Sequence, residues 1–264
     1  MSDPLARGHS LLDPHQLAIA RRVIAEESAR REHVVVYLSG AHAYGFPSPD
    51  SDLDLKAIHV APTARLLGLA PPAPTVDRAE IVDGVEIDYT SNELAAALAG
   101  VLRGNGNFLE RILGEASLVT AGNLIEPLRD VARGALSRRV HRHYRGFAES
   151  QLRELDRAPT VKRLLYVLRT ASTGTHLLRA GVLTTDLARL ADELGLSGVP
   201  ELIERKRAGE RTPLDAAERD RWRARVADVL ERLDEARDRS PLPEEPPNGA
   251  EVESFLVAVR RARL

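Results

Sequence analysis

Asp52 and Asp54, two aspartates separated by a single leucine, restrict the folds open to this chain more than any other feature of its sequence. Asp52 directly precedes the alternating run "LDLKAIHV", and Asp54 is the second residue of that run, which follows the apolar run "VVVYL" after a turn of small residues. Because successive side chains of a strand point to opposite faces, Asp52, Asp54 and Lys56 share one face and the apolar residues take the other. The pattern therefore predicts a strand with one apolar face and two neighbouring carboxylates on the opposite face.

A pair of carboxylates on one strand face is stable chiefly when a cation lies between them or water reaches both. Hard oxygen ligands suit Mg²⁺, or Mn²⁺, and Mg²⁺ takes further ligands from water and substrate phosphates. A third carboxylate, Asp88, stands in the later strand pattern "VEIDYT". If that strand lies beside the first, Asp52, Asp54 and Asp88 form a catalytic metal site that activates a hydroxyl and stabilises a leaving pyrophosphate.

The turn before the aspartates consists of the small residues Ser39, Gly40 and Ala41, directly after a predicted strand. Small residues let backbone N–H groups approach a triphosphate closely. The turn gains weight from its position, because Ala41 lies ten residues before Ser51, the first residue of "SDLD". Ser39, Gly40, Ala41 and Ser51 are therefore the candidate nucleotide-binding residues of this region.

Composition places the chain among globular proteins with one large domain or two modest ones. It has 264 residues, a formal charge of −2 and no cysteine, which excludes a disulfide framework and a thiolate zinc site. The segment "MSDPLARGHS" has no apolar core of signal-peptide length, and no run approaches a membrane span. We therefore expect a cytoplasmic protein with no membrane partner, and no pattern indicates an oligomeric state.

Charge is distributed unevenly along the chain. Residues 33–99 carry nine acidic and three basic side chains, whereas residues 129–169 carry eleven basic and four acidic ones, a balance of +7. An acidic segment and a basic one suit a cleft that holds metal ions and polyanions together. Solvated helical faces in an arginine-rich chain would give the same counts, so the charges alone leave both interpretations open.

Periodicity separates the chain into two regions. Asp13 followed by Pro14 marks the start of a helix that reaches to about Arg31, and strand patterns with Gly or Pro clusters follow it. The later part is typical of helices almost to the end, with "PLPEEPPNG" as a linker before the last amphipathic run. We predict an α+β fold, with a small mixed-sheet domain at residues 1–118 and an all-helical domain at residues 119–264.

The stretch "YLSGAHAYGFPSPDSDLDLKAIHV" resembles the nucleotidyltransferase signature of the DNA polymerase beta superfamily, in which a strand ending in Gly-Gly or Gly-Ser leads to an Asp-x-Asp strand. "AYGF", "GNGNFLE", "KRLLYVLR" and "LIERKRAGE" are similar, more narrowly, to nucleotidyltransferases grouped with RNA-ligase-associated polymerases, the RlaP-like group. The resemblance implies a polymerase beta-like fold and an NTP substrate. It also implies metal binding by the three aspartates and phosphate contacts from the "SGA" turn, Lys162 and Arg169.

The activity implied by this resemblance is transfer of NMP from an NTP to an acceptor hydroxyl. An RNA end, such as a tRNA-like end in RNA repair or processing, is the expected acceptor, and the basic segment supports it. Protein adenylylation would use the same carboxylates and stays an alternative. The chain departs from the superfamily at Ala41, where Ser or Gly is usual, and the lost hydroxyl removes one phosphate contact. A catalytically impaired RNA-binding module is therefore a further alternative.

Arg169 and His176 suggest a different enzyme. Six residues separate them in "RTASTGTH", which fits the Arg-x(4 to 6)-His pattern of HEPN ribonucleases, helical domains in which such a pair serves as electrostatic stabiliser and acid or base. An ordinary packed helix explains the same segment, with Leu164, Leu168 and Leu177 in its core. The sequence leaves both interpretations open.

Overall fold

The structure, a computed structural model, describes residues 7–209 and 212–264. Within this part of the chain five strands form one mixed sheet in the order β3–β4–β2–β1–β5. The strands are β1 (Glu32–Leu38), β2 (Leu53–Val60), β3 (Thr75–Val82), β4 (Val85–Glu93) and β5 (Ser117–Thr120). Strands β2 and β4 are parallel, and the other neighbouring pairs are antiparallel.

Helices make up most of the remaining described chain. They are α1 (Pro14–Ser28), α2 (Gly40–Ala43), α3 (Thr63–Leu66), α4 (Leu94–Leu102), α5 (Gly106–Leu113), α6 (Ile125–Gly134), α7 (Val140–Arg157), α8 (Val161–Ala180), α9 (Leu187–Glu193), α10 (Val199–Ala208), α11 (Ala216–Asp238) and α12 (Gly249–Arg261). Among the helices that the structure describes, none has the length and apolar character needed to cross a membrane. A mixed sheet with helices after it confirms the predicted α+β fold.

The chain divides into two compact units by its internal contacts. The first unit comprises the chain up to Ala43, Asp52–Ala135 and Pro246–Leu264, and it contains the sheet, α1–α6 and α12. The second comprises Tyr44–Ser51 and Leu136–Glu245, and it contains α7–α11. The last change of unit falls inside the predicted linker "PLPEEPPNG", whereas the domain boundary at residue 118 stays a prediction.

The core of the first unit forms around β1, whose residues 34–38 are completely buried. Its β-branched run suits a strand that is covered on both faces, and β2 and β5 pair with its two edges. In β2 the apolar residues Leu53, Leu55 and Ala57 are completely buried, while Asp54 and Lys56 between them are half-buried. This alternation fixes which face of β2 carries the carboxylate.

Helix α8 is the central helix of the second unit, and α7, α9, α10 and α11 all pack against it. The Thr160 side chain caps its first turn by accepting a hydrogen bond from the Arg163 N–H, and Gly181 ends it in a left-handed conformation at φ +67°. Nearly every residue from Leu164 to Leu178 is buried. The packed-helix interpretation of this segment is therefore correct for its leucines.

Candidate active site

Strands β2 and β4 bring two of the predicted carboxylates together. They are neighbours in the sheet, and their parallel register places Asp54 directly opposite Asp88. The side chains of Asp54 and Asp88 are 28% and 54% exposed, so water and ligands reach both. Asp52 is exposed immediately before the first residue of β2. The expected convergence of the aspartates requires β2 and β4 to be neighbours in the sheet, and they are neighbours.

Lys56 lies next to both carboxylates. Its Nζ is 2.8 Å from Asp88 Oδ2 and 3.9 Å from Asp54 Oδ1. The ammonium group therefore offsets the repulsion that two neighbouring carboxylates would otherwise experience. Strand alternation in the sequence predicts that Lys56 lies on this face but gives it no role. Its contact with Asp88 arises because β4 is the neighbour of β2 in the sheet.

Gly40 brings the predicted phosphate-binding turn against Asp54. The Ser39 N–H donates a hydrogen bond to the backbone carbonyl of Asp54 at 2.8 Å, which joins the end of β1 to the start of β2. Gly40 has a φ of +64°, and a Cβ at this position would collide with Asp54 Oδ2. Only glycine satisfies both conditions at low cost. Ala41 follows as a buried residue of the single-turn helix α2.

The carboxylate pair supplies part of the ligand set that a metal ion requires. Across residues 7–209 and 212–264, no three His, Asp or Glu side chains lie close enough to hold a metal ion by themselves. Mg²⁺ at nucleotide sites, however, usually takes one or two protein carboxylates and completes its shell with water and substrate phosphates. The oxygen donors of Asp54 and Asp88 fit that chemistry. The residues present therefore suit a metal that arrives with a nucleotide.

Ser51 has a buried environment in the second unit. It belongs to residues 44–51, here called the connecting segment, which precedes Asp52 in the chain. The Ser51 Oγ accepts a hydrogen bond from the Ser48 N–H at 2.9 Å, and the fully buried Lys206 donates from Nζ to Ser48 Oγ at 2.6 Å. Sequence reasoning missed Lys206, although it lies in the quoted segment "LIERKRAGE". Nucleotide binding by Ser51 stays a prediction.

The connecting segment also packs on the face of α8 that carries the predicted phosphate-binding residues. Arg169 is 1% exposed, and its guanidinium carbon lies 3.7 Å from the centroid of the Tyr44 ring. Tyr166, one turn earlier, contacts Tyr44 and Phe46 edge-on at centroid distances of 5.8 and 5.7 Å. Lys162 is half-buried near the start of the helix. Phosphate binding by Lys162 and Arg169 stays a prediction.

The Arg169 and His176 pair does not have the accessibility of a ribonuclease site. His176 is 7% exposed, and its Nδ1 lies 2.7 Å from Glu193 Oε1. An acid or base in RNA cleavage must come within hydrogen-bond reach of the reacting groups. Burial of both side chains favours a packing role for this pair over the ribonuclease interpretation.

The basic segment 129–169 is largely engaged in contacts within the protein. Arg129 is fully buried and pairs with Glu126, and Arg138 donates to backbone carbonyls. The others with carboxylate partners are Arg133, Arg139, Arg145, Arg157 and Arg163. Arg142 and Arg153 are exposed on α7, eleven residues apart and so on one face of that helix. The net charge of the segment therefore overstates the charge that it offers to RNA.

Comparison with known proteins assigns the chain to a family. No curated protein matches it. A nucleotidyltransferase-like protein from Exiguobacterium sibiricum shares 12% sequence identity, with 92% of this chain and 79% of that one covered, at a TM-score of 0.32. The family profile that matches residues 19–258 is RlaP, described as the RNA repair pathway DNA polymerase beta family. With so much of its length matched, the chain belongs to this nucleotidyltransferase family.

Proposed function

We propose that the protein transfers a nucleoside monophosphate from an NTP to an acceptor hydroxyl and releases pyrophosphate. The observation that carries the proposal is the parallel register of Asp54 and Asp88, with the Gly40 backbone held against Asp54. Two carboxylates beside a small-residue turn suit an enzyme that binds phosphate groups through metal ions. Membership of a polymerase beta family supports the same class of reaction.

The reaction is a displacement at phosphorus. The acceptor oxygen forms a bond to the α-phosphorus of the NTP, and the bond from that phosphorus to the bridging oxygen breaks, so pyrophosphate leaves with the electron pair. We assign to Asp88 the role of accepting the proton of the acceptor hydroxyl, because its side chain is more exposed than that of Asp54. Bound Mg²⁺ or Mn²⁺, held by Asp52, Asp54 and Asp88, would supply neutralisation of phosphate charge and activation of the attacking oxygen.

Asp54 and Lys56 have positioning roles in this proposal. The close approach of Gly40 and the hydrogen bond from Ser39 restrict Asp54, because both arise from backbone groups of the turn. Lys56 offsets the charge of the carboxylates and donates to the Asp88 carbonyl at 3.3 Å. A carboxylate pair that is held in place in this way needs little rearrangement when a nucleotide binds.

RNA is the proposed acceptor. The family description names an RNA repair pathway, and the exposed Arg142 and Arg153 offer a basic helix face for contact with phosphates. A hydroxyl at an RNA end has the nucleophile that the reaction needs. A protein hydroxyl would react by the same chemistry, so the acceptor has to be identified by experiment.

Incubation of the protein with each α-labelled NTP, Mg²⁺, and either total RNA or total protein tests this proposal. We expect label in RNA, dependence on Mg²⁺ and loss of label with Asp54→Asn. Label in protein alone would overturn the RNA acceptor while supporting the transferase chemistry. If no NTP labels either fraction, the proposed activity is wrong.

A further inference from the structure

A cavity of about 680 Å³ opens in the first unit, away from the carboxylates. The end of α1, the first residue of β1, the last residues of β2 and the segment around α3 line it. Asp54 lies near the start of β2, whereas His59, a lining residue, lies near its end. Five residues of strand span about 16 Å, so the cavity and the carboxylate pair occupy opposite ends of β2.

Basic side chains dominate the charged part of the lining. The lining arginines are Arg30, Arg31, Arg65 and Arg263. Glu32, the lining carboxylate, binds Arg263, and the buried Glu27 binds both Arg30 and Arg31. Arg65 is exposed, and its side chain makes no hydrogen bond or ion pair with any residue in the described ranges. Four guanidinium groups against two carboxylates leave positive charge for an anionic ligand.

The rest of the lining is apolar or uncharged. Pro62, Pro72 and Val76 contribute apolar surface, which suits a sugar or a planar ring. His59 Nδ1 lies 2.8 Å from Ser91 Oγ, and burial, followed by the charge of Arg31, lowers the pKa of His59. The imidazole is therefore neutral near pH 7, and the arginines alone provide the positive charge.

We propose that this cavity is a second ligand site, which binds a phosphorylated nucleoside either as a free nucleotide or as the terminal nucleotide of an RNA strand. Its volume lies in the range of small-molecule sites and is much larger than a lone phosphate needs. Guanidinium groups bind phosphate oxygens through paired hydrogen bonds, and the apolar lining accommodates the nucleoside. The site goes beyond the proposed transferase reaction, since none of the three aspartates lines it.

Equilibrium binding by the full chain in EDTA tests the proposal, with AMP, a 5′-phosphorylated RNA trinucleotide and inorganic phosphate as separate probes. Arg65→Glu reverses the charge of the unpaired lining arginine, and Arg65→Lys keeps it. Arg21→Glu is the matched control, because Arg21 is an exposed arginine of α1 outside the lining. Asp54→Asn reports on binding at the carboxylate site.

We expect AMP or the trinucleotide to bind, and Arg65→Glu to weaken that binding about tenfold or more. Arg65→Lys, Arg21→Glu and Asp54→Asn should stay close to the unaltered protein. Tighter binding of AMP identifies a free nucleotide, and tighter binding of the trinucleotide identifies an RNA end. Unchanged affinity in Arg65→Glu, loss in Asp54→Asn, or phosphate binding as tight as both nucleotide probes would overturn the proposal. The binding measurement does not depend on transferase activity, so it tests the second site even if the proposed reaction does not occur.

Discussion

At the scale of single residues, Gly40 combines a left-handed backbone with a direct approach to Asp54. We expect Gly40→Ala to lower the free energy of unfolding by about 1–2 kcal/mol from backbone strain alone. The collision with Asp54 Oδ2 should add to that loss and displace the carboxylate, so nucleotidyl transfer should fall steeply. Urea unfolding and a labelled-NTP assay measure the two effects.

Gly84→Ala is the matched control for backbone strain. Gly84 has a φ of +84°, and a Cβ there would meet nothing within 4 Å. Gly84→Ala should therefore lower the free energy of unfolding through backbone strain and leave nucleotidyl transfer almost unchanged. Equal loss of transfer in the two variants would show that the approach of Gly40 to Asp54 does not matter for activity.

His33 links the stability of the first unit to pH. Its Nε2 lies 2.7 Å from the Tyr89 hydroxyl, and burial, followed by the charges of Arg31 and His59, lowers the pKa of His33 from 6.5 to about 4. Between these values the unfolded chain binds a proton that the native protein excludes. The free energy of unfolding should therefore be highest above pH 6.5 and fall toward pH 4, by up to about 3 kcal/mol from this group.

Urea unfolding across this pH range checks the linkage. His33→Gln should flatten the decline, and His59, whose pKa is also lowered by burial, contributes to what remains. His9→Gln is the control, because His9 is exposed. An unchanged slope in His33→Gln would contradict the assigned cause.

Residue-level prediction from sequence succeeded where a short-range pattern was sufficient. Strand alternation placed Asp54 and Lys56 on one face of β2, and the structure has them there. The environment of Ser51 was beyond such reasoning, because the network around it includes Lys206, about 150 residues away in sequence. Strand alternation predicts which face of a strand carries a residue, but it does not predict contacts with distant parts of the chain.

At the scale of elements, the buried strands were predictable and the edge strands were not. Strands β1, β2 and β4 were predicted from β-branched or alternating runs. Strand β3 lies at the sheet edge with every second residue exposed, and β5 has four residues, so neither gives a strong apolar signal. The available clue to β3 was Asp83-Gly84, which forms a tight turn with positive φ at both residues before β4.

Helix α7 carries the exposed basic face that we expect to contact RNA. Replacing Arg142 and Arg153 together with Ala should weaken RNA binding and lower the salt dependence of the binding constant by about two counterions. Stability should change little, because both side chains are exposed. Titration of RNA at several salt concentrations measures the slope.

Arg133→Ala and Arg157→Ala together form the control for this prediction. These arginines come from the same basic segment but pair with Asp130 and Glu154. The control should have a smaller effect on the salt slope than the α7 pair. Equal effects from the two double variants would assign RNA contact to the net charge of the segment rather than to this face.

At the scale of the whole molecule, the chain changes between its two units more often than its patterns indicate. It enters the second unit at Tyr44, returns at Asp52, and changes again after Ala135 and after Glu245. The connecting segment lies between the Gly40 turn and β2 in sequence, yet its contacts assign it to the helical unit. Composition and periodicity indicate a sheet region and a helical region. They do not indicate that a short segment within the sheet region belongs to the helical unit, because that assignment depends on tertiary contacts.

Pyrophosphate release from an NTP, in the presence of Mg²⁺ and acceptor RNA, tests whether Asp54 and Asp88 form the metal-dependent catalytic pair. Asp54→Asn and Asp88→Asn should each reduce the rate about a thousandfold or more. Glu86→Gln is the control, because Glu86 is an exposed carboxylate two residues before Asp88 on β4. This variant should keep the rate of the unaltered protein. Near-normal release by Asp54→Asn or Asp88→Asn would show that these carboxylates are not the catalytic pair.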